Sequence, residues 1–200
     1  DDLSLVEIMH PTAPRRALRE RLFLEPIPLL WCPLLVHYDR DGNLDQARIG
    51  AHLASLANWV GGLLVMGSTG DGWELTAAER QCYLEILLEQ TAPLAMRTMV
   101  GVLLEDADGT RRTLAATVDW LAQQGGAGDL VERIVRRKIC GFAVCPPTGR
   151  RLTQAQIGAG LESVFALGYP TALYQLPQVT GNEMGPDLLV QLAERHPHFV

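Results

Sequence analysis

Lysine is almost missing from this chain: of its 17 basic residues, all but Lys138 are arginine. Chemistry that needs an amine nucleophile therefore has one candidate among these 200 residues. A long basic run is also missing and the formal net charge is -6, which argues against a nucleic-acid partner. No apolar stretch reaches the roughly 18 residues of a membrane span, so no membrane partner is expected. The chain opens on Asp1-Asp2 rather than on a basic region followed by an apolar one, so no signal peptide is read and a cytoplasmic location is the expectation. Cys32, Cys82, Cys140 and Cys145 have neither C-x-x-C zinc spacing nor the density of a disulfide scaffold. Cys32 and Cys145 lie in apolar strand-like runs, where a reduced, buried thiol is the plain reading. His37, His52, His196 and His198 lack metal-ligand spacing, and no metal is expected.

What is present is an ordinary globular composition, 48% hydrophobic and 20% charged, long enough for one domain with a core. Residues 1–25 read as an N-terminal arm, with Pro11, Pro14 and the Arg15–Arg21 cluster suggesting a loop and a short surface helix. Residues 26–200 read as one domain. Its organising stretch is Gly62-Leu-Leu-Val-Met-Gly-Ser-Thr-Gly-Asp-Gly-Trp-Glu-Leu-Thr76. The apolar run Leu63–Met66 stops at Gly67, the hydroxyls Ser68 and Thr69 follow, and Thr76-Ala-Ala-Glu79 has the form of a capping box. That order is strand, glycine-rich loop, helix. Such a loop sets hydroxyls and free backbone N–H groups at a strand end, where they can hold a small anion. The same two hydroxyls could instead satisfy their own turn, and sequence alone leaves that even.

The remainder repeats the rhythm. Leu29–Val36 reads as a first buried strand, broken near its end by Pro33. The acidic run Asp39–Asp45 is no calcium loop, because its sixth position is Leu44 and its twelfth Gly50. A turn at Asp41-Gly42 with Asp45 capping a helix is expected. That helix carries Ile49, Leu53, Leu56 and Val60 on one face, and the next turns Tyr83, Ile86 and Leu87 inward. Met96–Leu103 is a third strand, and Thr110–Gln123 a helix with Leu114, Val118 and Leu121 inward. Gln123–Asp129 is a glycine-rich break before a basic, amphipathic turn or helix at Leu130–Lys138. Gly141–Pro147 is a fourth strand, Thr153-Gln-Ala-Gln156 opens another capped helix, Thr171–Pro177 is a fifth strand, and Asp187–Arg195 a fifth helix. His198–Val200 looks like a sixth strand starting. Helices between buried strands imply an α/β fold with a parallel sheet. Pattern alone leaves a doubly wound sheet and a (β/α)8 barrel open, because five units would also complete the former.

Three blocks carry a resemblance. Asp41-Gly-Asn-Leu-Asp45 matches D-G-x-x-D after a first strand. Gly67-Ser-Thr-Gly-Asp71 with Leu75-Thr76 and Glu79-Arg80 matches G-[ST]-T-G-E…L-T…E-R. Tyr174-Gln-Leu-Pro-Gln-Val-Thr-Gly181 matches Y-N-x-P…[ST]-G after a fifth strand. In this order, each at a strand's carboxyl end, they resemble the pyruvate-dependent class I aldolases and dehydratases typified by dihydrodipicolinate synthase and N-acetylneuraminate lyase. The resemblance runs from about Pro28 to Val200. It implies a (β/α)8 TIM barrel, with this chain covering the first five βα units and the start of the sixth strand. It implies no metal or organic cofactor, a small-molecule keto acid as partner, and a homo-oligomer, tetramer or dimer. By position, Gly67, Ser68 and Thr69 would hold the keto-acid carboxylate, and Ser68 and Tyr174 would take part in catalysis, the phenol shuttling protons at the Schiff-base carbon.

The departures are equally specific. The family's Schiff-base lysine lies on the sixth strand, a few residues beyond Val200, so the chain is expected to be the N-terminal portion of a longer protein. Lys138 precedes the fourth strand, at the wrong end of a barrel, and does not inherit the role. Val179 stands where dihydrodipicolinate synthase has an arginine, and Ser68 in place of threonine resembles the neuraminate lyase and sugar-acid aldolase branches. Thr148-Gly149 stand where the family often has a tyrosine pair, and Gln175 replaces its asparagine. The reading is a lyase acting on pyruvate or a 2-keto-3-deoxy sugar acid. The alternative is a barrel that binds carboxylates without catalysis or serves as a scaffold subunit, in which Tyr174 is simply a strand tyrosine bonded to backbone.

Overall fold

A computed structural model describes residues 12–24, 26–124 and 126–200 of the chain. Residues 1–11 and 25 of the expected arm, His10 and Pro11 among them, and Gly125 of the glycine-rich break lie outside the described residues.

Five strands form one parallel sheet: β1 (Trp31–Pro33), β2 (Gly62–Val65), β3 (Arg97–Val102), β4 (Ile139–Val144) and β5 (Thr171–Leu173). Their order in space is their order in sequence, and every neighbouring pair is parallel. A doubly wound sheet must reverse direction at a switch point; this one never does. The one-way order resolves the choice left open by the sequence in favour of a partial (β/α)8 barrel. The start of a sixth strand is also in place, for Thr171 N–H donates to His198 O at 2.9 Å and Val200 N–H to Thr171 O at 3.0 Å.

Alternation along each strand sorts the side chains. Leu63, Val65, Val100, Val102, Cys140, Phe142 and Val144 are buried beneath the helices. The opposite, concave face carries Trp31, Leu64, Met99, Ala143 and Ala172, aligned across the sheet by the pairings Leu64↔Met99 and Ala143↔Ala172. Of these Leu64, Met99 and Ala172 are only half buried, as expected of a barrel interior whose remaining wall is not among these residues. The sequence reading made Leu29–Val36 a buried strand. The ladder is shorter, and Leu29, Leu30 and Leu35 are exposed, because among the described residues β1 has a neighbour on one side only.

The outer layer comprises α1 (Ala13–Leu22), α2 (Gln46–Leu56), α3 (Ala77–Thr91), α4 (Ala107–Gln124), α5 (Leu130–Arg136), α6 (Gln154–Phe165), a single turn α7 (Pro177–Thr180) and α8 (Pro186–Arg195). Helix starts follow their capping chemistry. Asp45 accepts from Arg48 N–H, and Thr76–Glu79 and Thr153–Gln156 form both reciprocal bonds of a capping box. Asp129–Glu132 does the same for α5, a D-x-x-E signal legible in the sequence but read there as part of a break. The Asp41-Gly42 turn forms with Gly42 at φ +85°, and Asp39 Oδ1 accepts from Asp41 and Asn43 N–H at 2.9 Å each. The buried face of α3 is Tyr83, Leu84, Leu87 and Leu88; Ile86, expected inward, is only half buried. α1 is drawn into the main core through Leu22, fully buried, with Leu18 and Phe23 against the same cluster. Cys140 and Cys145 are buried and free, Cys32 is only half buried at the sheet edge, and Cys82 is exposed. Burial pushes both the Cys140 and Cys145 thiols up to about 12, which leaves them unreactive near neutral pH. Among the described residues no helix is long and apolar enough to cross a membrane.

One contact makes the fold sensitive to acid. His37, just after β1, and His52 on α2 share a ring-to-ring hydrogen bond of 2.9 Å. Burial, and then the neighbouring His37, lower the His52 pKa. A histidine whose folded pKa is depressed is bound more weakly by protons in the folded than in the unfolded state, so its contribution is complete above the unfolded value near 6.5 and is lost as pH falls through the folded value. Unfolding midpoints measured from about pH 7.5 down to about pH 5 are expected to fall, and His52→Gln should flatten that slope.

Candidate active site

The ends of the strands divide the candidate residues. In a parallel sheet all carboxyl ends lie on one side, and there the chain places Gly67, Ser68 and Thr69, directly after β2, and Tyr174, directly after β5. Ser68–Gly70 form a single 3₁₀ turn and Asp71 closes it in the left-handed region at φ +51°. β3 and β4 separate the two groups, so they stand about 14 Å apart along the sheet, three inter-strand spacings, and closer across its concave side. They share an end but do not touch, which leaves room for a ligand of several atoms between them.

The loop after β2 is held by donors aimed at its oxygens. Gly67 O accepts from Gly70 N–H at 3.0 Å and from Gly72 N–H at 2.9 Å. Asp71 O accepts from Glu74 N–H at 3.0 Å and Leu75 N–H at 3.1 Å. Arg80, in the first turn of α3 and only 8% exposed, donates through Nε to Leu75 O at 3.0 Å, through one terminal nitrogen to Gly72 O, and through the same nitrogen to Leu103 O at 3.3 Å. Its other terminal nitrogen is buried with no hydrogen-bond partner. Burial lowers the Arg80 pKa, with Glu74 pulling the other way. Two side chains complete the set. Trp73 Nε1–H donates to Ser68 Oγ at 2.8 Å, and the Tyr38 hydroxyl donates to Asp71 Oδ2 at 2.9 Å. Burial first, then Asp71, raises the Tyr38 phenol to about 12, so it stays a donor.

Beneath the loop, the backbone is packed without slack. Met66 adopts φ +53°, rare for a long side chain, and its carbonyl oxygen turns against Gly72 and Gly101. Thr69 is exposed, Ser68 half buried, and neither hydroxyl donates to another described residue. Tyr174 is fixed through its backbone, its N–H donating to Val144 O at 2.8 Å and its carbonyl accepting from Cys145 Sγ–H at 3.0 Å. Its side chain borders the concave hollow with Trp31, Leu64, Met99 and Ala143, and its hydroxyl has no partner among the described residues. The loop after β4 is tied on both sides: Thr148 N–H donates to Glu105 O at 2.7 Å, and Asn182 Nδ2–H to Pro147 O at 2.7 Å. Another hollow, about 330 Å³, lies between α3 and α4, lined by Leu84, Arg112 and Trp120; it contains none of Ser68, Thr69 and Tyr174.

Lys138 sits before β4, at the opposite end of the sheet, at φ +60°. Its ammonium donates to Ala92 O at 2.7 Å, Thr91 O at 3.4 Å and Leu94 O. It caps the carboxyl end of α3 and is remote from the loop. No group of three or more potential metal ligands occurs among the described residues.

Sequence reasoning missed Tyr38, Trp73 and Asn182. Arg80 entered only as a letter of the motif. No local spacing rule announces them, because each acts through a bond to a loop rather than through a periodic face.

No family model matches the chain. It is 28% identical over 177 residues to a 4-hydroxy-tetrahydrodipicolinate synthase of Acidothermus cellulolyticus, covering 86% of this chain and 51% of that protein. It is 31% identical over 169 residues to the synthase of the same name from Xylella fastidiosa, covering 84% and 50%. Thus the chain spans about half the length of these curated relatives. In fold it is similar to a prophage protein of the dihydrodipicolinic acid synthase family from E. coli K12, solved in complex with pyruvate, with a TM-score of 0.66 at 22% identity over 85% of this chain and 52% of that one. The sequential parallel strands, the motif blocks at their carboxyl ends and these similarities agree: the chain belongs to the dihydrodipicolinate synthase and N-acetylneuraminate lyase family.

Proposed function

We propose that these residues form the carboxylate-holding half of a Schiff-base lyase acting on pyruvate or a 2-keto-3-deoxy sugar acid. The observation that supports the reading is that Ser68 and Thr69 directly follow β2 and Tyr174 directly follows β5, at the carboxyl ends of one parallel sheet, with Tyr174 bordering the concave hollow. In this reading the hydroxyls of Ser68 and Thr69 and their backbone N–H groups hold the keto-acid carboxylate and fix its orientation. The free phenol of Tyr174 carries protons at the carbon that becomes the iminium. The amine comes from outside these residues, since Lys138 is engaged at the other end of the sheet. Attack of such an amine on the keto carbon expels water and leaves an iminium, which draws electrons from the adjacent bond and eases its cleavage.

For the second half of the substrate, Val179 is apolar and 45% exposed on α7, where a dicarboxylate would call for a cation. That favours a single carboxylate and a hydroxylated tail over the reaction named for the curated relatives.

The test is borohydride trapping on the full-length protein. Incubation with pyruvate and borohydride should add the mass of one pyruvate less one oxygen atom, and peptide mapping should place it on a lysine outside residues 1–200. An unmodified mass from folded protein that contains such a lysine overturns the mechanism.

A further inference from the structure

We infer that Trp73 is a positioning residue that makes the loop after β2 select for negative charge; this rests on the keto-acid reading above and deepens it. A serine hydroxyl has one donor and two acceptor positions, and its proton rotates to suit its neighbours. Left free, Ser68 could accept from a neutral amide or alcohol as readily as it donates to a carboxylate. The Trp73 indole removes that freedom. It is a donor only, and at 2.8 Å from Ser68 Oγ it occupies an acceptor position. The serine proton is turned away from it and is the more polarised for the bond its oxygen accepts.

The rest of the loop repeats this arrangement. Gly67 O, Asp71 O, Gly72 O and Leu75 O all accept from N–H groups within the fold. These four carbonyls are therefore engaged within the fold rather than offered to a ligand. The Asp71 carboxylate keeps its charge, but its Oδ2 is engaged by the Tyr38 hydroxyl. At the start of the 3₁₀ turn the loop offers donors: the hydroxyls of Ser68 and Thr69 and the N–H groups that begin the turn. A serine whose acceptor position is taken, set beside N–H donors, distinguishes a carboxylate from its uncharged isosteres.

The experiment compares pyruvate with pyruvamide, its neutral amide, on the full-length protein. Binding is followed by the NMR resonance of the Trp73 indole N–H, assigned by its loss in Trp73→Phe. Pyruvate should shift that resonance and pyruvamide should not. Trp73→Phe keeps an aromatic ring in place and removes the N–H. It should weaken pyruvate binding about tenfold while leaving pyruvamide binding unchanged, so that discrimination falls by the same factor. Ser68→Ala should lose discrimination to a similar extent, and Trp73→Phe added to it should change nothing further, since the indole acts through Ser68. Unchanged discrimination in a folded Trp73→Phe protein, or an equal loss in the Ser68→Ala background, overturns the inference while pyruvate binding by the parent leaves the keto-acid reading standing. Failure of the parent to bind pyruvate or to form the borohydride adduct overturns both.

Discussion

Gly101→Ala should destabilise the protein by about 3 kcal/mol or more, measured as a drop in denaturant midpoint without a change in slope. A Cβ at Gly101 would stand 2.2 Å from Met66 O, 2.7 Å from Met66 C and 3.0 Å from Val65 O. All three are backbone atoms of β2 and its exit, and Met66 is already held at φ +53°. A flexible side chain could swing clear of the added methyl; a carbonyl locked between strand and loop cannot. Relief requires β2 and β3 to separate at their carboxyl ends or Met66 to leave its conformation. Either movement displaces Ser68, so pyruvate affinity should fall with stability. Gly72 meets the same carbonyl from the other side, its Cβ falling 2.0 Å from Met66 O, and Gly72→Ala should behave alike. A control at Gly42, which has open space around it, should cost only the strain of its positive φ, about 1 kcal/mol.

Arg80→Met is the second large effect. Two terms oppose each other. The guanidinium is buried without a carboxylate partner, a standing penalty that methionine would remove. Against this, the change leaves the carbonyls of Gly72, Leu75 and Leu103 without their donors. An unsatisfied buried group costs about 1–3 kcal/mol, and three of them outweigh the relief; a net loss of about 2–4 kcal/mol is expected. The loss should be local before it is global, since all three carbonyls belong to the loops that follow β2 and β3. Amide hydrogen exchange in residues 67–76 should accelerate more than in β4, whereas a general loss of stability would raise both together. Arg80→Lys should recover little, because one ammonium on a flexible stem does not reproduce the fork that spans two loops.

Much of this architecture could be read in advance, and the reasons are local. The apolar runs of β2, β3 and β4 are buried on the helical side and so stand out in sequence. Thr76-x-x-Glu79 and Thr153-x-x-Gln156 mark their helices because a cap is made by residues three apart. Leu29 and Leu30 misled for the opposite reason: an apolar run reports what a strand buries in a closed sheet, and among the described residues that side of β1 has no neighbour. The candidate residues Ser68, Thr69 and Tyr174 were visible as motif letters. Their supports were not. Arg80 reaches Leu103, 23 residues away, and Tyr38 reaches Asp71, 33 away. Such pairs are fixed by the register of neighbouring strands, which the order of elements does not specify.

The open sides of the sheet bear on how these 200 residues behave without the rest of a barrel. Among the described residues β1 has one unpaired edge beside Leu29 and Leu30, and the strand begun at Phe199 has another on the opposite side. The two edges belong to parallel strands and are not related by a two-fold, so the edge of one copy complements the other edge of the next. Addition of this kind has no built-in end. In isolation the segment is expected to add copy to copy along one direction, and raising its concentration should lengthen the assembly rather than form a closed dimer.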